Sequence, residues 1–359
     1  MFLTIIIIFF TLVALLILHE FGHFIIAKKL GVRVEEFGLG YPPRIIGKKF
    51  GETLYSINLL PFGAFVKITG EEEKVKDSRS FSEKSIWQRT LIILGGVVSF
   101  WLIAFLIFTL VAGIWGVPEA VSDDFIGAAE VQIISVFSDS PAEIAGLKLG
   151  DTILKGESEE TGLLQINKVK ELQDFVNSQK GKEITLTLKR GKEILDLKLV
   201  PRISPPEEEG PLGVSLARVS RFKYPWYEAP GMGAIITGEK TVQIPMVLAS
   251  IFQKFLRGEK VEGVELVGPI GIGNLMADFL KLGVDNFLMF IAMISVWLAL
   301  FNLLPIPALD GGKILFLIIE GIQGRPVRQE IEQKITAFFF FFLILLMVFV
   351  TIKDIIRLF

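Results

Sequence analysis

Residues 1–27 read MFLTIIIIFFTLVALLILHEFGHFIIA, and this stretch decides how the rest of the chain is interpreted. It carries no charge through Leu18 and ends just before Lys28 and Lys29. A bilayer core of about 30 Å needs about 20 apolar residues in a helix, so the stretch predicts a first membrane span. It has no basic start and no small-residue cleavage site, which argues against a removable signal peptide.

The motif His-Glu-x-x-His lies near the end of this predicted span, at His19, Glu20 and His23. Residues four apart share one face of a helix, so both imidazoles can bind one metal ion. Glu20 beside them can take a proton from water on that metal. Charged groups inside a span are costly and usually functional, and the chain has no other histidine. The motif therefore predicts a metal site with Glu20 as the general base.

The composition excludes several kinds of protein. Apolar residues make up 51% of the 359 residues, which is too many for an ordinary soluble enzyme. The net charge of −2 argues against nucleic acid as a partner, because phosphate binding needs a basic surface. The chain has no cysteine, which rules out disulfides, thiol catalysis and Cys-ligated zinc.

Four apolar stretches are long enough to cross a bilayer, so we predict a helical membrane protein with four spans. A fifth, weaker stretch near 233–257 contains Glu239, Lys240 and Lys254, and it predicts an amphipathic or surface helix. The predicted segments are a first span at 1–27, a loop at 28–88, a second span at 89–117, an inserted domain at 127–217, an amphipathic or surface helical segment at 218–283, a third span at 284–315 and a fourth span at 334–356.

Short basic loops predict the orientation. Lys and Arg are frequent in 28–88 and recur in 311–334, and these two loops share a side because two spans separate them. The positive-inside rule assigns that side to the cytoplasm. The inserted domain then faces the outside.

Asp310 is the candidate for a third metal ligand. With no third histidine and no cysteine, that ligand must be Asp or Glu, and zinc suits two imidazoles plus one carboxylate with a fourth position left for water. Pro305 and Pro307 break the third span just before Asp310, which is tolerated at membrane depth where the backbone is buried or lines a cavity. Taken alone, a loop that simply ends the span explains these residues equally well.

Together, the His-Glu-x-x-His motif and the Asn-x-x-Pro-x-Pro-x-Leu-Asp-Gly motif at 302–311 resemble the site-2 protease family, and more closely its bacterial RseP-type members. The resemblance implies that His19, His23 and Asp310 bind Zn²⁺. It also implies that Asn302 lies near the substrate or the oxyanion. Where the family usually has Gly-Pro-x-x-Asn in the second span, this chain has Gly95-Gly96-Val-Val-Ser99, so Ser99 is the substitute candidate for orienting substrate.

Two further segments carry the resemblance. Alternation over 53–68 predicts short strands and turns, and with 37–43 it resembles the family's membrane re-entrant β-hairpin. An ordinary cytoplasmic hairpin is the alternative. The Ser-Pro-Ala-x-x-Ala-Gly-Leu-x-x-Gly-Asp string at 140–151 resembles bacterial PDZ domains. The implied fold is an α-helical polytopic membrane protein with four transmembrane helices, a re-entrant β-hairpin and one inserted α+β PDZ-like domain.

The resemblance implies an intramembrane zinc endopeptidase that cuts single-span membrane proteins already trimmed outside, such as anti-sigma factors or signal-peptide remnants. The bacterial inner or plasma membrane is the implied location, with the lipid bilayer and a peptide ligand of the PDZ-like domain as further partners. One alternative is a non-catalytic adaptor with a structural metal. Another is a transporter, although the chain lacks inverted repeats.

Overall fold

A computed structural model of the chain describes residues 2–71, 73, 75–206, 209–258 and 267–357. In these residues the helices are α1 (Phe2–Lys29), α2 (Ile86–Ile114), α3 (Pro141–Ile144), α4 (Val169–Ser178), α5 (Ala229–Leu256), α6 (Pro269–Leu282), α7 (Val284–Asn302), α8 (Asp310–Gln323) and α9 (Gln329–Arg357). The strands are β1 (Val34–Phe50), β2 (Thr53–Ile68), β3 (Val117–Val121), β4 (Glu130–Val136), β5 (Thr152–Ser158), β6 (Gly162–Gln165), β7 (Ile184–Arg190), β8 (Glu193–Leu199) and β9 (Val214–Phe222).

The prediction of four spans is not confirmed, because five helices are long and apolar enough to cross a membrane by length and composition: α1, α2, α5, α7 and α9. The additional helix is α5, which was predicted as a surface helix. It has three charged residues, Glu239, Lys240 and Lys254, and it packs against α2 and α7, with Ile236 and Ile244 buried. Part of the predicted 218–283 segment, residues 259–266, lies outside the described residues.

Two helices begin earlier than their predicted spans, for local reasons. The helix α2 starts at Ile86 because Ser85 and Gln88 form a capping box, in which the backbone N–H of Gln88 donates to the Ser85 hydroxyl at 3.3 Å. The helix α9 starts at Gln329 with Glu330 and Glu332 in its first turn, where negative charge is favourable. Apolar composition alone cannot locate such polar first turns.

The helix α2 is central to the bundle and packs against α1, α5 and α7. Its residues Val97 and Phe100 are buried together with Leu15 of α1 and Met276 of α6. Lipid is as apolar as these side chains, so close packing rather than exclusion of water favours the contacts between spans.

The strands β1 and β2 form a sheet of their own between α1 and α2 in the chain. Residues 34–39 pair with 64–68, residues 36–39 also pair with 54–57, and residues 44–50 pair with 53–58. The two long strands therefore bend into four paired segments, of which 44–50 and 64–68 are the outer ones. The hairpin predicted from 37–43 and 53–68 thus lies within a sheet that extends over 34–50 and 53–68.

A second sheet forms the inserted domain, with strand order β3-β9-β4-β5-β7-β8 and β6 paired to β5. Its core is apolar and includes Leu172 and Phe175 of α4. The sheet extends from Val117 to Phe222, beyond the predicted 127–217, because β3 pairs with the end of β9. The domain meets the helical bundle at the end of α6, where Lys148 Nζ lies 2.9 Å from Asp278 Oδ2.

Two ion pairs fix α8 in the bundle. Arg89 of α2 donates to both carboxylate oxygens of Glu320, at 3.0 and 2.5 Å, and both side chains are mostly buried. Lys313 pairs with Glu71 in the segment after β2. A bidentate pair of this kind constrains orientation as well as distance. It holds α8, which begins at Asp310, against α2.

Candidate metal centre and active site

The structure brings His19, His23 and Asp310 together, although Asp310 is almost 300 positions from the histidines. The Nε2 atoms of the two histidines are 3.3 Å apart. The Oδ2 atom of Asp310 lies 3.4 Å from each Nε2. All three residues are buried, with exposed fractions of 8%, 8% and 9%. The three ligand atoms thus form a nearly equilateral triangle.

The size of this triangle fits a metal ion. Tetrahedral bonds of about 2.0–2.1 Å place ligand atoms about 3.3–3.4 Å apart. In addition, Asp310 Oδ2 is buried and makes no hydrogen bond within the described residues. A buried carboxylate oxygen that makes no hydrogen bond is costly, and a bound cation would account for it. Two nitrogens and one oxygen are a donor set that suits zinc and leaves a fourth position open.

The helix α2 orients both imidazoles. Nδ1 of His23 lies 2.9 Å from the carbonyl oxygen of Ile92. A carbonyl can only accept, so Nδ1 carries the proton and Nε2 presents its lone pair toward Asp310 and His19. The His19 ring stacks on Phe100, with centroids 4.7 Å apart and 16° between the planes.

Glycines allow α1 and α2 to touch at the level of the site. A Cβ atom at Gly96 would lie 2.2 Å from His23 Nε2 and 2.7 Å from His19 Cε1. A Cβ at Gly22 would lie 2.2 Å from the carbonyl oxygen of Gly95. Small residues at crossings of membrane helices let the backbones approach closely.

Sequence reasoning missed Gly96, Ile92 and Phe100 as residues of the site. The Gly95-Gly96 pair was treated only as a departure from the family pattern. Two adjacent glycines inside an apolar span were nevertheless a usable signal, since glycine is unfavourable in a helix interior unless close packing requires it.

The break between α7 and α8 spans residues 303–309 and places Asp310 at the first position of α8. A Cβ at Gly311 would lie 2.2 Å from the Leu304 carbonyl oxygen, and one at Gly312 would lie 2.3 Å from the Ile306 carbonyl oxygen. The two glycines therefore let the first turn of α8 pack directly against the segment that precedes it. This explains why Asp-Gly-Gly follows the prolines.

The other predicted residues lie outside the triangle. Glu20 is half-buried next to His19 on α1. The Ser99 hydroxyl donates to the Gly96 carbonyl at 2.6 Å, within its own helix. The Asn302 amide donates to the Leu298 carbonyl at 2.9 Å, at the end of α7. The roles predicted for Ser99 and Asn302 therefore remain predictions.

This fold and site define a class of polytopic membrane protein with a buried His-His-Asp site. The two histidines lie on an intact helix, and the aspartate follows a broken one. The chain belongs to Peptidase family M50, whose model matches residues 7–346. It is an intramembrane metalloprotease of the site-2 type, as the resemblance implied. The match disfavours the non-catalytic adaptor.

Named relatives agree with this membership. A protein of Clostridium perfringens, described by its name as a zinc metalloprotease, is 35% identical over 96% of both chains. The regulator of sigma-W protease RasP of Bacillus subtilis is 28% identical over 99% of this chain and 98% of its own. The PDZ domain of an SdrC-like protein from Listeria monocytogenes matches at 20% identity with a TM-score of 0.22, covering 26% of this chain and 92% of that one. The PDZ-like assignment stays a prediction.

Proposed function

We propose that this protein cuts the membrane-spanning segments of single-span proteins whose outer domains have been removed, with Zn²⁺ held by His19, His23 and Asp310. The triangle of ligand atoms, 3.3–3.4 Å on each side and buried within the helical bundle, is the observation that carries the proposal. The zinc, when bound, supplies a more acidic water and polarises the scissile carbonyl. A closed structural site would need a fourth protein ligand, and in the described part of the chain the cluster has three.

The chain's own residues supply the proton transfers. Glu20 is adjacent to a ligand and half-buried, so its carboxylate can accept a proton from the attacking water and return it to the leaving amide nitrogen. Burial of the site excludes bulk water, which strengthens these charge interactions. The Arg89–Glu320 pair holds Asp310 in register with the histidines.

Replacing Glu20 with Gln should lower cleavage of a purified single-span reporter by about 100- to 10,000-fold, the usual contribution of a general base. Glutamine keeps the size of the side chain and removes only the proton acceptor, so the metal content should stay at the wild-type level. Reporter fragments and bound metal are measured on the same preparation. Wild-type cleavage by Glu20→Gln would exclude Glu20 as the base.

We further propose that the β1–β2 sheet enters the membrane and that its outer segment 64–68 binds the unwound substrate as an added strand. Ile45, Ile46 and Leu60 are exposed on this sheet, which suits contact with lipid. A Cβ at Gly63 would lie 3.6 Å from Leu16, so segment 64–68 starts beside the helix that carries His19. An outer strand has unpaired backbone groups that can hold an extended peptide.

Crosslinking distinguishes the two outer segments. The chain has no cysteine, so a Lys67→Cys variant carries a single thiol. On addition of an oxidant such as copper phenanthroline, it should form a disulfide with a reporter that has a cysteine near its scissile bond. Lys48→Cys, exposed on the opposite outer segment, is the matched control and should not. Equal crosslinking of the two variants would contradict substrate binding at 64–68.

A further inference from the structure

A groove of about 380 Å³ lies on one face of the β1–β2 sheet, and we call it the lysine groove. Five apolar side chains from three neighbouring segments line it: Phe37, Leu39, Ile46, Tyr55 and Ile57. Lys48 is the charged residue of this lining. The proposed substrate strand pairs with the outer segment 64–68, so it makes no use of the groove.

The register of the strands places the lining residues in two rows. Lys48 pairs with Tyr55, which also pairs with Phe37. Ile46 pairs with Ile57. Directly paired residues point to the same face of a sheet, and so do residues two apart on one strand. The lysine and the apolar side chains therefore share one face, with the Ile46 row about 7 Å from the Lys48 row.

The acidic residue of these segments lies on the opposite face. Glu36 and Lys49 both pair with Leu54. All three point away from the groove, because successive side chains of a strand alternate between the two faces. Arg44 donates to Glu36 at 2.8 Å. The carboxylate of Glu36 is thus turned away from the groove and is already paired.

Lys48 carries a positive charge that no carboxylate of the described residues offsets by an ion pair. Its Nζ lies 5.0 Å from the centroid of the Phe50 ring. The stem of a lysine packs on apolar surface while its charged end seeks a polar partner. The lysine groove therefore offers one positive charge at the edge of apolar surface.

The sheet lies beside the first span, at membrane depth. Lys28, near the end of α1, donates to Glu52 in the turn between β1 and β2 at 2.7 Å. A Cβ at Gly63 would lie 3.6 Å from Leu16 of α1. Leu16 and Lys28 are twelve positions apart, which is about 18 Å of helix. The sheet therefore follows α1 for about half of the span, and Lys48 lies toward the polar end.

We infer that the lysine groove binds an anionic phospholipid, with its phosphate on Lys48 and part of an acyl chain along the Ile46 row. A phospholipid is charged at the membrane surface and apolar below it, as the groove requires. The positive-inside rule assigns this side to the cytoplasm, where anionic lipids attract basic residues. The inference goes beyond the proposed function and rests only on its placement of the sheet in the membrane. The lipid holds segment 44–50 in the bilayer and leaves 64–68 open to substrate.

Two photoactivatable phospholipids test this inference: phosphatidylglycerol and phosphatidylcholine with the same diazirine-bearing acyl chain. The full-length protein is irradiated in lipid nanodiscs at about 0.15 M salt, where charges more than about 8 Å apart are largely screened. Mass spectrometry of the peptides locates the label. In the wild type, phosphatidylglycerol should label residues 46–48 and 55–57 more than phosphatidylcholine does. Lys48→Glu should reduce this preference by roughly five-fold, the effect of one basic residue near an anionic surface.

Lys49→Glu is the matched control, since it makes the same charge change at the next residue, on the opposite face. It should keep the wild-type preference. Equal labelling of 46–48 and 55–57 by the two lipids in the wild type, or an equal loss of preference in both variants, would overturn the inference and leave the proposed proteolysis intact. A sheet that neither lipid labels would contradict its entry into the membrane, and the inference with it.

Discussion

Alanine at position 96 is expected to leave the purified protein without bound metal and without proteolytic activity. The added Cβ would lie 2.2 Å from His23 Nε2 and 2.5 Å from His23 Cε1, so the ring must move. The helices cannot separate easily to make room, because Gly22 and Gly95 already bring their backbones into contact. Losing a residue that only orients a metal ligand lowers activity by roughly 10- to 100-fold, and Gly96→Ala should lower it by more.

Gly113→Ala on the same helix is the matched control. Its Cβ would meet Ala229 Cβ at 3.4 Å, an ordinary contact, and alanine is favoured over glycine in a helix by about 0.5–1 kcal/mol. This variant should keep its metal and its activity. Metal content, reporter cleavage and helical circular dichroism are compared for both variants. A folded Gly96→Ala protein with one metal per chain would show that the crowding around His23 is not as described.

The convergence of His19, His23 and Asp310 could be predicted from sequence because each residue carries its own signal. His19 and His23 share a helical face, and they are the only histidines of the chain. Asp310 follows two prolines inside an apolar stretch, which marks a broken span. The chain has 39 acidic residues, but the prolines single out Asp310 as a carboxylate at a broken span, so the long separation between the motifs did not matter.

The residues that orient the ligands could not be predicted in the same way. Ile92 acts through its backbone carbonyl, which any residue could provide, and Phe100 is one of many aromatic residues in the spans. Their roles depend on how α2 crosses α1. Helical periodicity shows which faces are apolar, but it does not set the rotation of one membrane helix against another.

The number of spans and the full extent of the β1–β2 sheet could not be predicted from sequence for a related reason. Glu239 and Lys240 favour an amphipathic or surface helix, whereas the length and composition of α5 also suit a membrane span, and its start packs on α2. In β1 and β2, residues 34–39 pair with residues 64–68, which are 25 to 34 positions away. A search for short alternating strands detects only the nearest pairing.

Replacing Asp310 with Ala should also remove both metal and activity. The substitution takes away the only carboxylate in the described cluster and leaves two imidazoles, which is one ligand fewer than a catalytic zinc site uses. Substituting a residue that only hydrogen-bonds to a metal ligand lowers metal affinity by roughly 10- to 100-fold, and loss of the ligand Asp310 should lower it by more. Asp278→Ala, which removes a partly exposed carboxylate of α6 that does not belong to the cluster, is the control and should keep its metal.

Metal content by mass spectrometry, measured on purified wild type, Asp310→Ala and Asp278→Ala in parallel, is the decisive measurement. We expect about one zinc per chain in the wild type and in Asp278→Ala, and almost none in Asp310→Ala. A wild type that holds no divalent metal, or an Asp310→Ala protein that holds as much as the wild type, would contradict a zinc site built from these three residues.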